Sequence, residues 1–249
     1  MGKNKLSKFA DLESFHNVLQ VPYQSLKQAH HPLRGNWNLN FFEKPQPIVL
    51  ELGCGKGEYT TGLAEIDQGK NYIGIDIKGS RMWSGATYAI QNGLSNVGFL
   101  RSQIELIDNF FGPSEVSEIW LTFPDPQMQR WRKRLTSTRF IELYQKFLVT
   151  GGIVHLKTDS NFMFQYTLEM AKINGFEIVI QNDNIYEEEL THPALGIKTY
   201  YEEQWIARGI SIKYVSFIPH QNKLIEPEIY IEPDRYRSFG RDAVIDDQE

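Results

Sequence analysis

The stretch TFPDPQMQRWRKRL, residues 122–135, places a single acid, Asp125, between two prolines, and Arg130, Arg132, Lys133 and Arg134 follow closely. Proline fixes its own φ and restricts the residue before it, so Pro124 and Pro126 stiffen the backbone on both sides of this carboxylate. No other acid occurs between Asp125 and Glu142. Same-sign charge without intervening acids suits phosphates, whereas a fixed carboxylate beside it suits a cation. A second chemical group stands upstream in IVLELGCGKG, residues 48–57, where Glu51 precedes Gly53, Gly55 and Gly57. Glycines let the backbone approach a ligand where a Cβ would clash, and a helix start offers N–H groups. The next apolar run, YIGID, ends at Asp76, where a carboxylate can take two hydrogen bonds from ribose hydroxyls.

Two cofactors fit a glycine turn followed by a ribose acid. Dinucleotide sites carry GxGxxG with the helix start facing a pyrophosphate. Here the spacing is GxGxG, and Glu51 would repel a pyrophosphate but attract a cation. S-adenosylmethionine carries a sulfonium and an ammonium and no phosphate, so the residues favour it over a dinucleotide. Gln103, in LRSQI after the third apolar run, can both donate to and accept from an adenine edge, or stand in solvent. Cys54 reads as a small residue within the turn, and His155 as a core histidine in an apolar strand.

These residues need a frame to hold them. Continuous apolar runs recur at 48–52, 72–75, 97–100, 118–123, 152–157, 176–180 and 210–217, as in strands covered on both faces. Helical spacing fills 58–67, 80–92, 138–148 and 162–173, and its stripes, such as Met82, Ala86 and Ala89 or Phe162, Tyr166 and Met170, read as core. Alternating strand and helix predicts an α/β fold with a doubly wound, mostly parallel sheet. Residues 47–218 are read as one domain. Residues 1–46 are an irregular extension with a short helix near 9–19 and no strand, and residues 219–249 a peripheral polar tail.

The totals narrow the classes. At 249 residues, with 41% hydrophobic and 23% charged, the chain has the composition of a globular protein. A formal net charge of -5 does not exclude nucleic acid, because binding depends on where cations sit more than on their sum. One cysteine allows no internal disulfide and no Cys/His group has zinc spacing, so a cytoplasmic protein without structural metal is expected. No run approaches the roughly 20 apolar residues that cross a bilayer, so no membrane partner is expected. A monomer or homodimer fits equally.

Taken together, VLELGCGKGEYT, YIGIDIKGSR, TFPDPQMQRWRKRLTSTRF, HLKTDS and IKTYYEEQW resemble the bacterial tRNA (guanine-N7-)-methyltransferase family across about residues 48–217. The resemblance implies a seven-stranded class I methyltransferase sheet, S-adenosylmethionine as donor, and tRNA as partner, with guanine 46 of the variable loop as target. It puts Glu51, Asp76, Gln103 and Asp125 at donor positions, and Asp159, Thr199 and Glu202 at substrate positions. Two departures stand out: Gln103 replaces an acid found in many relatives, and the bases after FPDP lack the family's WPKKRHH string.

Guanine N7 has a lone pair and no proton to lose, so transfer needs no general base and positioning dominates. Asp125 would then sit between donor and base, favouring positive charge as it passes from sulfur to purine. Arg130, Arg132, Lys133 and Arg134 would grip RNA phosphates, and Trp131 would stack on a base or pack locally. Asp159 could accept from guanine N1–H and N2–H2. Thr199 and Glu202 could share the base pocket or form a helix-capping pair. His30, His31, Arg34 and Trp37 could extend the RNA surface. The competing readings are a methyltransferase for another substrate, a noncatalytic RNA-binding protein with a degenerate donor pocket, and a dinucleotide-dependent oxidoreductase.

Overall fold

A computed structural model describes residues 3–22, 24, 26, 30–187, 189–220 and 223–238. In chain order the first elements are α1 (Lys3–Ser14), β1 (Val18–Gln20), α2 (Trp37–Asn40), β2 (Ile48–Leu52), α3 (Glu58–Ile66) and β3 (Asn71–Asp76). Then come α4 (Gly79–Gln91), β4 (Val97–Arg101), β5 (Val116–Thr122), α5 (Thr138–Tyr144), β6 (Leu148–Thr158) and α6 (Asn161–Ile173). The chain continues through β7 (Glu177–Asn182), α7 (Tyr200–Ile206), β8 (Lys213–Ile218) and α8 (Arg235–Ser238).

The strands form one sheet in the order β1-β4-β3-β2-β5-β6-β8-β7. All neighbours are parallel except β8, which runs antiparallel to β6 and β7. The apolar runs become central strands because helices cover both faces. Ile48, Leu50 and Leu52 of β2 face the core formed with α5 and α6, while Val49 joins Leu63, Met82 and Ala86 on the other face. Glu51 has the parity of Val49, so its side chain lies on the α3 side. Strand order reverses between β2 and β5, and both strands deliver their C-terminal ends to one edge, where open α/β sheets bind ligands. His155 is a core histidine: its ring stacks on Trp120 at 4.0 Å, Tyr214 bonds Nδ1, and burial lowers its pKa.

Three expectations are corrected. The described sheet has eight strands and not seven, because Val18–Gln20 pairs with Phe99–Arg101 at its edge. Three residues are too few to show strand periodicity. The first helix starts at Lys3 and ends at Ser14, and its Leu12 is buried in the core shared with α4. Trp37 is also core: it is fully buried, stacks on Phe111 and donates from Nε1 to the Phe110 carbonyl. Arg34 donates to the Asp108 carbonyl.

Candidate active site

One hollow of about 290 Å3 at the C-terminal edge of β2 and β5 is lined by Glu51, Gly53, Gly55, Asp76, Asp125 and Thr199. The glycine turn that forms its floor has φ of +83° at Gly53 and +56° at Gly55, left-handed values that side chains avoid. Its amides are already engaged. Gly53 and Cys54 donate to the Ile75 carbonyl, and Gly55 donates to Asp76 Oδ2 at 3.0 Å. Asp76 Oδ1 accepts from Lys78 N at 2.7 Å. A phosphate cradle needs open N–H donors, which these amides do not offer.

Glu51 is 2% exposed and accepts from the hydroxyls of Thr60 on α3 and Thr122 on β5. Burial pushes its carboxyl up to about 7, against the pull of both threonines. Such an acid gains most from a cation brought beside it. Lys56 and Arg81 also line the hollow, so its charge is mixed, as a zwitterion requires. Beyond Asp76, a second hollow of about 520 Å3 is lined by Ile77, Leu106 and Gln103. Gln103 is exposed there and leads into the 3-10 turn Ile104–Asn109.

Asp125 leaves β5 on a loop under strain. Phe123 and Gln127 have φ of +49° and +46°, a region non-glycine residues rarely enter. Asp125 is exposed to the hollow, and its Oδ1 accepts from Gln127 N at 3.0 Å. Arg134 keeps the loop in this shape. It is 3% exposed, and its guanidinium donates to the carbonyls of Pro126, Gln127 and Met128. It also lies over the ring of Tyr166 at 3.9 Å. The expectation that Arg134 grips an RNA phosphate is therefore corrected, because the side chain is buried and its Nε and Nη2 donate to the loop. Arg130, Arg132 and Lys133 are exposed, together with Arg139.

The substrate-side acids differ from expectation. Glu202 is fully buried: Lys157 Nζ lies 2.7 Å from its Oε1, and Tyr186 donates to the same atom at 2.6 Å. Lys157 donates as well to the carbonyls of Leu195 and Ile197. Thr199 and Glu202 form a capping box at the start of α7, which leaves Thr199 at the hollow and Glu202 beneath it. Asp159 is 1% exposed and does not line the hollow; Tyr236 donates to its Oδ2 at 2.9 Å. Tyr236 thus occupies an oxygen of Asp159 that a guanine would need.

The chain matches a family model described as "Putative methyltransferase" over residues 45–215. It is 55% identical to the tRNA (guanine-N(7)-)-methyltransferase of Bacteroides fragilis, covering 97% of this chain and 96% of that protein. Identity to the protein of the same name from Porphyromonas gingivalis is 52%, covering 92% and 96%. The chain belongs to the tRNA (guanine-N7-)-methyltransferase family. The fold also superposes on the 16S rRNA methyltransferase KamB with a TM-score of 0.55 at 14% identity, covering 81% of this chain and 96% of that one.

In this tRNA (guanine-N7-)-methyltransferase family member, several residues that build the site are not among those the sequence predicts. Thr60 and Thr122 hold Glu51, and Tyr201 and Trp205 line the hollow. Lys157 carried a usable signal, since a lysine inside an apolar strand needs a buried partner. The C-terminal segment gave none. Its Glu226 accepts from Thr138 and Tyr166, and its Asp234 accepts from Ser160 and from Phe162 N. Of the segment expected to be a peripheral tail, residues 223–238 pack behind the Asp125 loop, where Asp234 N donates to Met128 Sδ, and residues 239–249 lie outside the described residues.

Proposed function

We propose that this protein transfers a methyl group from S-adenosylmethionine to N7 of a guanine in tRNA, and that the guanine is residue 46 of the variable loop. The observation that carries this reading is that Asp125 lines the same hollow as Glu51 and Asp76, while exposed cations follow on the adjoining turn. The names of the relatives support methyl transfer, the tRNA and the N7 atom.

The donor supplies an electrophilic methyl on a sulfonium: N7 forms the bond to carbon, the carbon–sulfur bond breaks, and its electron pair leaves on sulfur. Glu51 pairs with the donor's ammonium and becomes fully ionised by doing so. Asp76 takes the ribose hydroxyls, Gln103 meets the adenine, and Gly53 and Gly55 let the backbone approach. Asp125 faces the path of the methyl and stabilises positive charge as it moves from sulfur to the purine. No residue needs to remove a proton, so catalysis rests on alignment and charge. Arg130, Arg132 and Lys133 hold phosphates beside the pocket.

With a single cysteine and, among the described residues, no helix long and apolar enough to cross a membrane, the reading fits work in the cytoplasm. The test is incubation with labelled donor and unmodified tRNA, followed by nucleoside mapping. Label at N7 of guanine 46 is expected. Absence of N7 label in every tRNA carrying that guanine would reject the reading.

A further inference from the structure

A cleft of about 530 Å3 opens between the 3-10 turn Trp131–Lys133 and the C-terminal segment. Its floor is formed by Phe162, Tyr166 and the buried Arg134. Trp131, 40% exposed, lines it from the 3-10 turn, and Ile229 and Tyr230, 50% and 86% exposed, line it from the C-terminal segment. Exposed apolar groups gathered around one cleft mark an interaction site rather than ordinary surface. The donor hollow uses none of them.

The surroundings indicate what the cleft takes. Arg130, Arg132 and Lys133 are exposed along the turn that carries Trp131, and the Arg132 guanidinium lies 5.4 Å from the Trp131 ring. The apolar and aromatic lining suits a base, and the cations of the adjoining turn, outside the lining, suit its phosphates; of the two acids that do line the cleft, Glu226 is held by Thr138 and Tyr166, and Glu228 is exposed. Met128, three residues after Asp125, lines the cleft, so it adjoins the site of transfer. A guanine that presents N7 to Asp125 must leave its stacked neighbours, and those neighbours are left without a stacking partner in turn.

We propose that this cleft receives an unstacked nucleobase flanking the methylated guanine, held between Trp131 and Tyr230, with its phosphates on Arg130, Arg132 and Lys133. This rests on the reading of the protein as a tRNA methyltransferase. The C-terminal segment then supplies half of an RNA subsite.

The full-length protein is titrated with tRNA carrying 2-aminopurine in place of each nucleotide flanking the target guanine, one at a time. Binding should change the fluorescence of one flanking probe. Trp131→Ala and Tyr230→Ala should each abolish that change and raise the tRNA Kd about tenfold. Tyr230→Phe should preserve both, and the slope of log Kd against log salt should stay at the wild-type value. Tyr230 is so exposed that its replacement leaves the core intact, which unchanged donor affinity by calorimetry would verify. Silent probes on both flanks, or wild-type tRNA affinity in both alanine variants, overturns the proposal. A Tyr230→Phe variant as weak as Tyr230→Ala overturns stacking as the cause. If the wild type methylates guanine N7 while both alanine variants bind normally, only the cleft is wrong. If the wild type does not methylate, the underlying reading falls.

Discussion

The donor side and the acceptor side of the hollow are built from different kinds of interaction. On the donor side, most partners lie within the unit from β2 to β3: Glu51 is held by Thr60 of the very next helix, with Thr122 of β5, 71 residues on, as the exception, and Asp76 receives the amides of Gly55 and Lys78. On the acceptor side, partners come from far along the chain. Tyr166 meets Glu226, Ser160 meets Asp234, and Asp159 meets Tyr236, with sequence separations of 60, 74 and 77 residues. A small donor can be received mostly by the unit from β2 to β3, with β5 and the start of α7 closing one side. On the proposed reading the Asp125 loop presents a carboxylate to a large RNA, and charged residues that look like ligand-binding groups brace it from behind.

Breaking the buried pair tests the contrast most severely. Glu202→Gln leaves Lys157 charged in a dry site, and removing one partner of such a pair typically destabilises by about 3–5 kcal/mol. Chemical denaturation should show a lower midpoint for this variant and for Lys157→Met, and the double change Lys157→Met with Glu202→Leu should recover part of it. An unchanged midpoint with weakened guanine selection would return Glu202 to the substrate. Asp125→Ala comes next. Removal of one preorganised charge-stabilising group commonly lowers turnover about 100- to 1000-fold. Here the midpoint should stay put, because Asp125 is exposed. Near-normal turnover would remove Asp125 from the mechanism.

The same contrast explains what the sequence could reveal. The central strands and the helices after them were legible, since continuous apolar runs and helical stripes are local patterns, and β2 begins and ends as read at 48 and 52. Gly53, Gly55, Asp76 and Asp125 all stand at strand ends in the sequence, and all four line one hollow. The inward setting of Arg134 was not legible, although it lies in the same basic run as Arg132 and Lys133. Only packing shows that it points inward onto Tyr166 while the others face water. Thr199 and Glu202 were read both ways, and the capping box leaves Thr199 at the hollow and Glu202 within the core. β1 and the C-terminal segment were missed because neither has a period of its own; each is ordered by what it pairs with.

Glu51 sharpens the donor half through pH. Burial raises its carboxyl to about 7, so below neutrality the proton competes with the donor's cation for the same site. Donor affinity should rise by up to about tenfold per pH unit as pH approaches 7, and level off above it. In the absence of donor the sign reverses for folding. The unfolded chain releases this proton near pH 4.3 and the folded chain near 7, so stability falls between those values as pH rises. Calorimetry from pH 6 to 8 measures the first effect. Glu51→Gln should weaken binding and flatten its pH dependence; a slope that survives the substitution belongs to another group.

The smallest effect separates cations that are neighbours in sequence. Removing one cation that neutralises a phosphate of duplex-like RNA lowers the slope of log K against log salt by about 1. Arg132→Ala and Lys133→Ala should each do this, since both side chains are exposed. Arg134→Ala should leave the slope unchanged and lower the denaturation midpoint, because the guanidinium is stacked on Tyr166 and bonded to three loop carbonyls. It should also lower kcat more than it raises the tRNA Kd, since the loop it releases carries Asp125. Arg134→Lys cannot restore this, as one ammonium cannot reproduce a planar fork that donates in several directions while stacking on a ring. If Arg134→Ala flattens the salt dependence as much as Arg132→Ala, then the guanidinium leaves its pocket when RNA binds, and the acceptor side is not braced in the bound state.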